Sequence, residues 1–353
     1  MNNYLTVFMC VPLLWGCTQT PSVEINQVNM DFTSIRTIEV PECDIIRLEE
    51  SSKSLLFDIN EMVISNNKLI IHSRDFLHVF DKQGHFLHSI AHKGHGRGEY
   101  NHIANIFLNQ DSVFIFDSDM QRLLCYHLDG SFITSHNITI PKKEDETSPC
   151  RLYPYLNSYI SVNKYGGEGR DVAAVSRITK DLRNAEPLEG RDIKSGIMFS
   201  DNMFVSDSTI LYWEPLCDTL FTITQNKIRP WLFFDFSPHT LPSNESFEDV
   251  ISKIEYINNH MKDDYLFAGM TRFHQLYKGF LFFTCIVPDK SVCLCRCKIN
   301  TLEIDIFKFI FPDKKYIQQP FTLINGDEIY IEIRDTTRLA SNPSLFKINM
   351  SKL

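Results

Sequence analysis

Short apolar stretches separated by polar turns recur along the whole chain. Around Gly84 the order is an apolar strand, a polar turn with glycine and a second strand that opens with Phe86, and the same order returns around Gly130, 46 residues later. Each copy follows another hairpin, Met62–Ile71 or Ile106–Phe116, in which Asn or Asp residues separate two apolar runs. A strand, an Asn/Asp turn and a strand form the signature of a β-hairpin. Two hairpins per repeat predict four antiparallel strands, the content of one propeller blade.

Four weaker copies of this unit follow, at a period of roughly 45 to 60 residues. They lie at Tyr159–Ile178, Met203–Ile223, Gly279–Cys295 and Phe321–Ile348. Six copies occupy the chain, and a ring of short sheets buries both faces of each unit. We therefore predict an all-β fold, a six-bladed β-propeller of four-stranded antiparallel blades, and we expect Ile35–Ile38 to complete the last blade.

The segment from Ser246 to His260 departs from the strand pattern, as the charged stretch Pro141–Glu146 also does. Its apolar residues recur at helical spacing: Phe247, Val250, Ile251, Ile254 and Ile257. Ser246 and Asp249 resemble the capped start of a helix. We predict one short inserted helix, which either covers a core edge or shapes a binding site.

The N-terminus carries a candidate targeting segment. Leu5 to Trp15 is an apolar run of about eleven residues, too short to span a bilayer but of the size of a signal-peptide core. It ends in Leu14-Trp15-Gly16-Cys17, which resembles a bacterial lipobox, although Trp15 is bulky and no Lys or Arg precedes the run. We predict a lipoprotein signal peptide over residues 1–17 ending at a lipidated Cys17, a linker over 18–30 and a propeller domain over 31–353. An ordinary signal peptide or a buried first strand are the alternatives.

Composition and charge narrow the class of protein further. Of the 353 residues, 43% are hydrophobic and 22% charged, which excludes wholesale disorder. The 27 Phe and 13 Tyr favour half-buried strands over helices. A net charge of −9 without a Lys/Arg cluster argues against a nucleic-acid partner, which would require a basic patch.

The residues after the Gly84 hairpin carry a family resemblance. The segment Phe80-Asp81-Lys82-Gln83-Gly84-His85-Phe86, followed by Gly96-Arg97-Gly98-Glu99-Tyr100, resembles the signature of the six-bladed β-propeller lipoproteins of Bacteroidales, relatives of NHL-repeat propellers. Arg97 stands where that family usually has Pro, and Asp218–Phe221 is similar to its fourth-blade strand. The resemblance spans about residues 30 to 350. It implies the fold and an exported, membrane-anchored lipoprotein of the cell envelope, and it implies little chemistry.

Two roles are open for the glycine-rich segment from Gly94 to Tyr100. Alternating glycines allow backbone conformations that other residues avoid. The segment is expected to carry the chain from one blade to the next, with Glu99 and Tyr100 fastening the crossover by hydrogen bonds. A binding role at the propeller mouth for His95, Arg97, Glu99 and Tyr100 is the alternative. The spacing of a phosphate-binding loop does not occur.

Histidines concentrate in the same region, with seven of the twelve between His72 and His102. Neutral imidazole is a common metal ligand, but strand alternation places His85 and His88 on opposite faces. We expect exposed or capping histidines, with no metal and no cofactor. If a metal binds, His92, His95 and His102 are the candidates.

Four cysteines form a second cluster. Cys293, Cys295 and Cys297 alternate and would share one strand face, with Cys285 on the preceding strand. Zinc sites use two to four intervening residues, and these cysteines have one. Small buried hydrophobes are the leading interpretation, with a cross-strand disulfide from Cys285 or a metal site as alternatives.

No catalytic spacing emerges, since a nucleophile elbow is absent and Asp117 and Asp119 sit at a strand end, where acids are usually turn residues. We predict a binding or scaffolding module for an envelope protein, peptide or glycan. The alternative is a metal-dependent extracellular hydrolase or lyase with its site at the propeller axis. Convergence of His or acidic side chains from three blades on that axis would favour the enzyme.

Overall fold

In the computed structural model the chain forms six antiparallel sheets arranged as the blades of a propeller, which confirms the predicted fold class. The structure describes residues 25–90, 92–140, 149–163, 175–188, 203–206, 209–213, 216–224, 227–241, 250–260, 267–312, 315–338 and 341–353. The predicted signal segment and Cys17 lie outside these residues.

The strands follow one another blade by blade. Three N-terminal strands come first: β1 (Asn26–Asn29), β2 (Arg36–Glu39) and β3 (Ile45–Arg47). Blade 1 contains β4 (Glu61–Ser65), β5 (Lys68–Ser73), β6 (Phe76–Asp81) and β7 (Phe86–Ser89). The short strands β8 (His92–Lys93) and β9 (Glu99–Tyr100) lead to blade 2, which contains β10 (Ile103–Asn109), β11 (Ser112–Asp117), β12 (Arg122–His127) and β13 (Phe132–Asn137). Blade 3 contains β14 (Pro149–Tyr155), β15 (Ser158–Asn163), β16 (Val175–Thr179) and β17 (Ala185–Pro187).

The remaining blades use the second half of the chain. Blade 4 contains β18 (Met203–Val205), β19 (Ile210–Trp213), β20 (Thr219–Thr224) and β21 (Lys227–Asp235), and helix α1 (Val250–His260) follows it. Blade 5 contains β22 (Gly269–Tyr277), β23 (Phe280–Ile286), β24 (Val292–Lys298) and β25 (Ile304–Ile310). Blade 6 contains β26 (Tyr316–Asn325), β27 (Glu328–Asp335) and β28 (Ser344–Asn349).

The first strand of each blade lies innermost. These six inner strands contact one another in sequence around the ring, and β26 closes it against β4. Hydrophobic clusters fill the spaces between neighbouring blades; one, for example, joins Ile70 and Val79 of blade 1 to Ile115 and Leu124 of blade 2. Leu69 and Ile71 face the opposite way, towards blade 6. The apolar run Leu69-Ile70-Ile71 is therefore buried on both faces.

The N-terminal strands form a belt around the outside of the last three blades. β1 runs parallel to β21 of blade 4, and β2 runs parallel to β25 of blade 5, so these two blades have five strands. β3 pairs antiparallel with β28 and supplies the fourth strand of blade 6. The prediction that Ile35–Ile38 completes the last blade is therefore wrong, because that place is taken by Ile45–Arg47. The folded chain also reaches back to Asn26, within the predicted linker.

Helix α1 lies between blades 4 and 5, within the segment predicted to be helical. Ile257 is buried, and Lys253 Nζ donates to the carbonyl of Leu216 at 3.5 Å, so the helix contacts the loop between β19 and β20. The predicted helix start at Ser246 and Phe247 lies outside the described residues. Within the described part of the chain, no helix is long and apolar enough to cross a membrane.

The two faces of the propeller carry different connections. At the ends of the inner strands, tight turns such as Asn66-Asn67 lead to the second strand, with both residues at positive φ (49° and 61°), as a type I′ hairpin requires. At the starts of the inner strands lie the crossovers between blades, including the glycine-rich segment and the connection that carries α1. We call the face at which the inner strands begin the upper face.

Candidate functional site: a charged cluster on the propeller axis

Charged side chains from three alternate blades meet at the propeller axis. Glu61 begins β4 in blade 1, Arg151 lies on β14 in blade 3, and Arg272 lies on β22 in blade 5. All three belong to inner strands, and no further strand lies towards the axis among the residues that the structure describes. Their long side chains can therefore extend across the ring instead of packing between blades. We call Glu61, Arg151, Arg272 and the neighbouring Tyr153 the axial site.

Glu61 is the acceptor of the axial site. Its Oε1 atom lies 3.2 Å from Nη1 of Arg151, in a salt bridge that reaches across blade 2. Its Oε2 atom accepts the backbone N–H of Ile106 at 2.7 Å and lies 3.6 Å from Nδ1 of His72. Hydrogen bonds to an ionised carboxylate are about twice as strong as neutral ones. Glu61 therefore ties the inner strands of blades 1, 2 and 3 together.

Arg272 approaches from the other side of the ring. Its Nη2 atom donates to the carbonyl of Asn60 at 2.9 Å, across blade 6, and its guanidinium lies 4.9 Å from the ring centre of Phe321. Burial lowers the pKa of Arg272 to about 10, while the charge of Glu61 opposes that shift. Arg272 consequently keeps its positive charge at neutral pH.

The axial site is neither sealed nor fully open. The side chains of Arg151 and Glu61 are 14% and 12% exposed, so a small part of each is accessible to solvent. Tyr153 follows Arg151 by two residues and therefore points to the same side of β14. Burial raises the pKa of Tyr153 to about 12, which keeps its hydroxyl protonated as a donor. The site thus presents two guanidinium groups and one hydroxyl around a single carboxylate.

Three side chains of the inner strands carry buried polar atoms without a hydrogen-bond partner of normal geometry among the described residues: Tyr153 on β14, and Gln318 and Thr322 on β26. The Arg151 guanidinium interacts with the Tyr153 hydroxyl and lowers its pKa against the effect of burial. Buried polar groups in folded proteins are nearly always paired with protein, water or a ligand.

A second ion pair lies between blades 6 and 1. Glu332 on β27 is buried and lies 3.0 Å from Nη2 of Arg334, which also donates to the carbonyl of Phe57. Burial raises the pKa of Glu332 to about 7, against the lowering effect of Arg334. This pair joins the last blade to the segment that precedes the first.

The predicted site residues lie in the crossover between blades 1 and 2. β8 and β9 pair in parallel, Oε2 of Glu99 accepts the N–H of Gly96 at 2.8 Å, and the hydroxyl of Tyr100 donates to the carbonyl of Asp75. The hydroxyl of Tyr126 donates to the carbonyl of Gly98 at 2.9 Å. Glu99 and Tyr100 thus fasten the crossover by hydrogen bonds, as the sequence led us to expect.

His95 and Arg97 are exposed on this crossover, and the guanidinium of Arg97 lies 5.8 Å from the ring centre of Phe132. The contacts that form the axial site come from other residues. A binding role for His95, Arg97, Glu99 and Tyr100 stays a prediction.

Tyr100 also lines an open pocket on blade 1, with a volume of about 590 Å³. Phe76 and His78 stack in its wall with ring centres 5.4 Å apart, and Lys93 Nζ lies 2.9 Å from Oδ2 of Asp75. Burial lowers the pKa of His78, so this imidazole is neutral at pH 7. Two residues of the histidine-rich region, His78 and His88, therefore line a pocket that is separate from the axial site.

The predicted metal candidates are His92, His95 and His102, and the side chain of His92 lies outside what the structure describes. His95 and His102 are exposed, and the backbone of His92 pairs with Glu99. No group of three or more His, Cys, Asp or Glu side chains that could hold a metal ion occurs in the part of the chain that the structure describes. Among the described residues, the axial site brings together two arginines and one carboxylate.

The four clustered cysteines are buried free thiols in blade 5. Cys285 pairs with Cys293 across β23 and β24, and its Sγ atom lies 3.2 Å from that of Cys295. Burial raises the pKa of Cys293 and of Cys297 to about 12. The interpretation as small buried hydrophobes is confirmed, and the structure contains no disulfide among them.

Sequence reasoning missed the axial site. Glu61 is the first residue of β4, and Arg151 and Arg272 lie within β14 and β22, so no local pattern shared by the three strands marks them. The repeat could have revealed the site. An alignment of the first strands of the six copies would have shown charged residues near the starts of alternate blades.

Comparison with known proteins identifies relatives by fold. The family model described as a domain of unknown function (DUF4934) matches residues 32–347. A solved structure from Bacteroides fragilis, designated an exported protein, is similar with 15% identity and a TM-score of 0.57 over 92% of this chain and 99% of that one. A member of the DUF4221 family from Bacteroides vulgatus is similar with 12% identity and a TM-score of 0.53 over 86% of this chain and 96% of the other. No curated protein matches the chain.

Proposed function

The chain belongs to the DUF4934 family, and on that premise we propose that it is a cell-envelope lipoprotein whose propeller binds or scaffolds an envelope protein, peptide or glycan. The lipid would be carried by Cys17. Kinship with the propeller lipoproteins of Bacteroidales and with NHL-like repeats is part of the same proposal.

The axial site is the observation that carries the binding role. Loops on a rigid scaffold are where binding residues concentrate, and a propeller gathers loops from every blade around one axis. Here the inner strands add charged groups from three blades at that axis, partly exposed and linked by the salt bridge between Arg151 and Glu61. A ligand at the upper face would meet a charged, pre-formed centre.

The envelope location is supported by the sequence and by a relative. The run from Leu5 to Trp15 followed by Gly16-Cys17 has the form of an export signal with a lipidation site. The similar Bacteroides fragilis protein is designated as exported. Belt strand β1 begins at Asn26, so a lipid on Cys17 would hold the propeller within about 30 Å of the bilayer, since an extended chain spans at most ~3.3–3.6 Å per residue.

Lipidation is tested by expressing the full chain in a bacterial host that lipidates exported proteins. We expect the mature N-terminal peptide to begin at Cys17 and carry an acyl-dependent mass increase, and the protein to partition into detergent. Cys17→Ala should abolish both, whereas Cys43→Ala, which removes an exposed cysteine of the propeller, should change neither. A mature chain with an unmodified N-terminus would overturn the lipoprotein proposal.

The binding role is tested with the immobilised mature chain and defined envelope components: cell-wall glycan fragments, surface polysaccharides and outer-membrane peptides. We expect saturable binding of at least one component, weakened by Arg272→Gln and unaffected by Lys308→Gln, a substitution in the outer strand of blade 5. Binding that persists unchanged in Arg272→Gln would remove the axial site from the proposal.

A further inference from the structure

An exposed aromatic ring lies at the edge of the pocket on blade 1. Phe76 is 43% exposed, and its ring stacks on that of His78, with the ring centres 5.4 Å apart and the planes inclined by 16°. His78 is itself held in place, because its Nδ1 atom lies 2.9 Å from Oγ of Ser89 and the ring of Phe86 meets it edge to face at 5.5 Å. We call the stacked pair of Phe76 and His78 the platform. An exposed apolar group beside polar residues is typical of a ligand-binding groove, and a fixed one loses little freedom on binding.

Polar groups line the pocket beside the platform. Lys93 Nζ lies 2.9 Å from Oδ2 of Asp75, and the hydroxyl of Tyr100 donates to the backbone carbonyl of Asp75. Ser52 and Lys53 add a hydroxyl and a second ammonium group to the lining. An ammonium has three donors and a carboxylate has about four acceptor positions. The pair of Lys93 and Asp75 can therefore bind the hydroxyl groups of a ligand without separating.

The charges of the pocket favour a neutral ligand. Asp75 and Lys93 compensate each other, and burial lowers the pKa of His78, so that its imidazole adds no charge at pH 7. Lys53 is exposed, and solvent and salt screen its charge. A charged ligand would compete with the ion pair of Asp75 and Lys93, whereas a neutral group that both donates and accepts hydrogen bonds would complement it.

A sugar ring combines the two properties that the pocket requires. Its C–H groups form an apolar face that packs on an aromatic ring, and the hydroxyl groups at its edge both donate and accept hydrogen bonds. An apolar peptide side chain would cover the platform but would remove water from Asp75 and Lys93 without replacing its hydrogen bonds. We propose that the pocket on blade 1 binds a neutral sugar unit of a glycan, stacked on Phe76 with its hydroxyl groups on Asp75 and Lys93.

The size of the pocket agrees with such a ligand. Its volume of about 590 Å³ lies within the range of small-molecule sites, roughly 300–1,000 Å³. This inference rests on the proposed function and specifies one ligand class, at a place separate from the axial site.

The experiment titrates the mature chain with neutral disaccharides, namely maltose, cellobiose, mannobiose and N,N′-diacetylchitobiose, by calorimetry. Sorbitol, which has hydroxyl groups but no ring, is the control for binding through hydroxyl groups alone. A blocked Ala-Leu-Ala tripeptide represents an apolar peptide. We expect saturable binding of at least one disaccharide, with an affinity that is the same at low and high salt, and no binding of sorbitol.

Variants locate the binding in the pocket. Phe76→Ala removes the platform and should weaken disaccharide binding about tenfold, whereas Phe76→Tyr keeps the ring and should retain the affinity. Asp75→Asn should weaken binding about three- to tenfold, because a hydrogen bond to a charged acceptor is lost. Leu87→Ala is the matched control, since Leu87 is 45% exposed on β7 and is not among the described residues that line the pocket. It should change nothing, and all four variants should keep the unfolding midpoint of the unchanged chain because the substituted side chains are partly exposed.

Three results would overturn the inference: no saturable binding of any of these disaccharides, unchanged disaccharide affinity in Phe76→Ala, or tighter binding of the tripeptide than of every disaccharide. The proposed function would survive each of them if the immobilised chain still binds an envelope component and Arg272→Gln weakens that binding. Disaccharide binding that depends on Phe76, without any envelope binding that depends on Arg272, would instead keep the pocket and remove the axial site from the proposed function.

Discussion

Gly84 and Gly130 occupy the same turn in blades 1 and 2, and a pair of alanine substitutions there tests how the ring is closed. Both have positive φ, 93° and 90°. A Cβ atom on Gly84 would lie 2.3 Å from the carbonyl oxygen of Arg47 in the closing strand β3, whereas on Gly130 the nearest atom is the carbonyl oxygen of Ser89 at 3.3 Å. The carbonyl of Gly84 also accepts the N–H of Glu49 at 2.8 Å.

The magnitudes follow from these contacts. An alanine at positive φ costs about 1–3 kcal/mol at either position. At Gly84 the overlap with a backbone atom forces β3 or the turn to move, which adds about 1–3 kcal/mol, and a strained bond to Glu49 adds about 1 kcal/mol. We therefore expect Gly84→Ala to lower the free energy of unfolding by about 2–4 kcal/mol more than Gly130→Ala.

Urea unfolding followed by the fluorescence of Trp213 and Trp231 measures this difference. Limited proteolysis with identification of the N-terminal peptides adds a local readout, because a displaced β3 should expose the belt to cleavage in Gly84→Ala alone. Equal unfolding free energies for the two variants, within about 0.5 kcal/mol, would refute the reasoning. In that case the turn at Gly84 in blade 1 does not hold the closing strand β3 in place.

Three further predictions concern charge and thiol chemistry. Glu61→Gln should lower the free energy of unfolding in urea by about 3 kcal/mol or more, because it breaks a buried ion pair. Glu328→Gln breaks a more exposed pair and should lower it by about 1 kcal/mol or less. Similar losses in the two variants would contradict the burial of Glu61. In the native protein, Cys43 should react at once with a thiol reagent while the four blade-5 cysteines react only on unfolding. Rapid labelling of any of these four, located by peptide mass analysis, would contradict this. Burial raises the pKa of Asp218 from 3.8 to about 7, so the protonated form stabilises the fold at low pH and this contribution is lost as the pH rises from about 4 to 7. Asp218→Asn should remove that part of the pH dependence in thermal unfolding, and identical slopes for both proteins would show that Asp218 is not buried.

Structural features that depend on residues close together in the chain could be predicted from the sequence. The turn at Asn66-Asn67 and the hairpin at Gly84 are local signals, and they were sufficient to define blades and count them. The crossover hydrogen bond from Gly96 to Glu99 joins residues three apart, so it could be anticipated as well.

Features that depend on ring closure could not be predicted in this way. Ile35–Ile38 and Ile45–Arg47 are both short segments with two isoleucines and an arginine, and only their partner strands, β25 and β28, distinguish them. The axial site has the same origin, because Arg151 and Glu61 are 90 residues apart and Arg272 and Asn60 are 212 apart. The sequence of a single strand does not indicate which distant strand it will contact in the folded ring.

The belt has a mechanical consequence. A pull on the N-terminal end, directed along the strands, loads the parallel pairs β1–β21 and β2–β25 lengthwise. Their hydrogen bonds then share the force and have to break together, whereas a peeling load would break them one at a time. The same segment emerges first during synthesis, yet β3 finds its partner only when Ser344–Asn349 has been made. The N-terminal belt therefore has two consequences: it resists tension on the N-terminal end, and it lets the ring close only after the last blade has been synthesised.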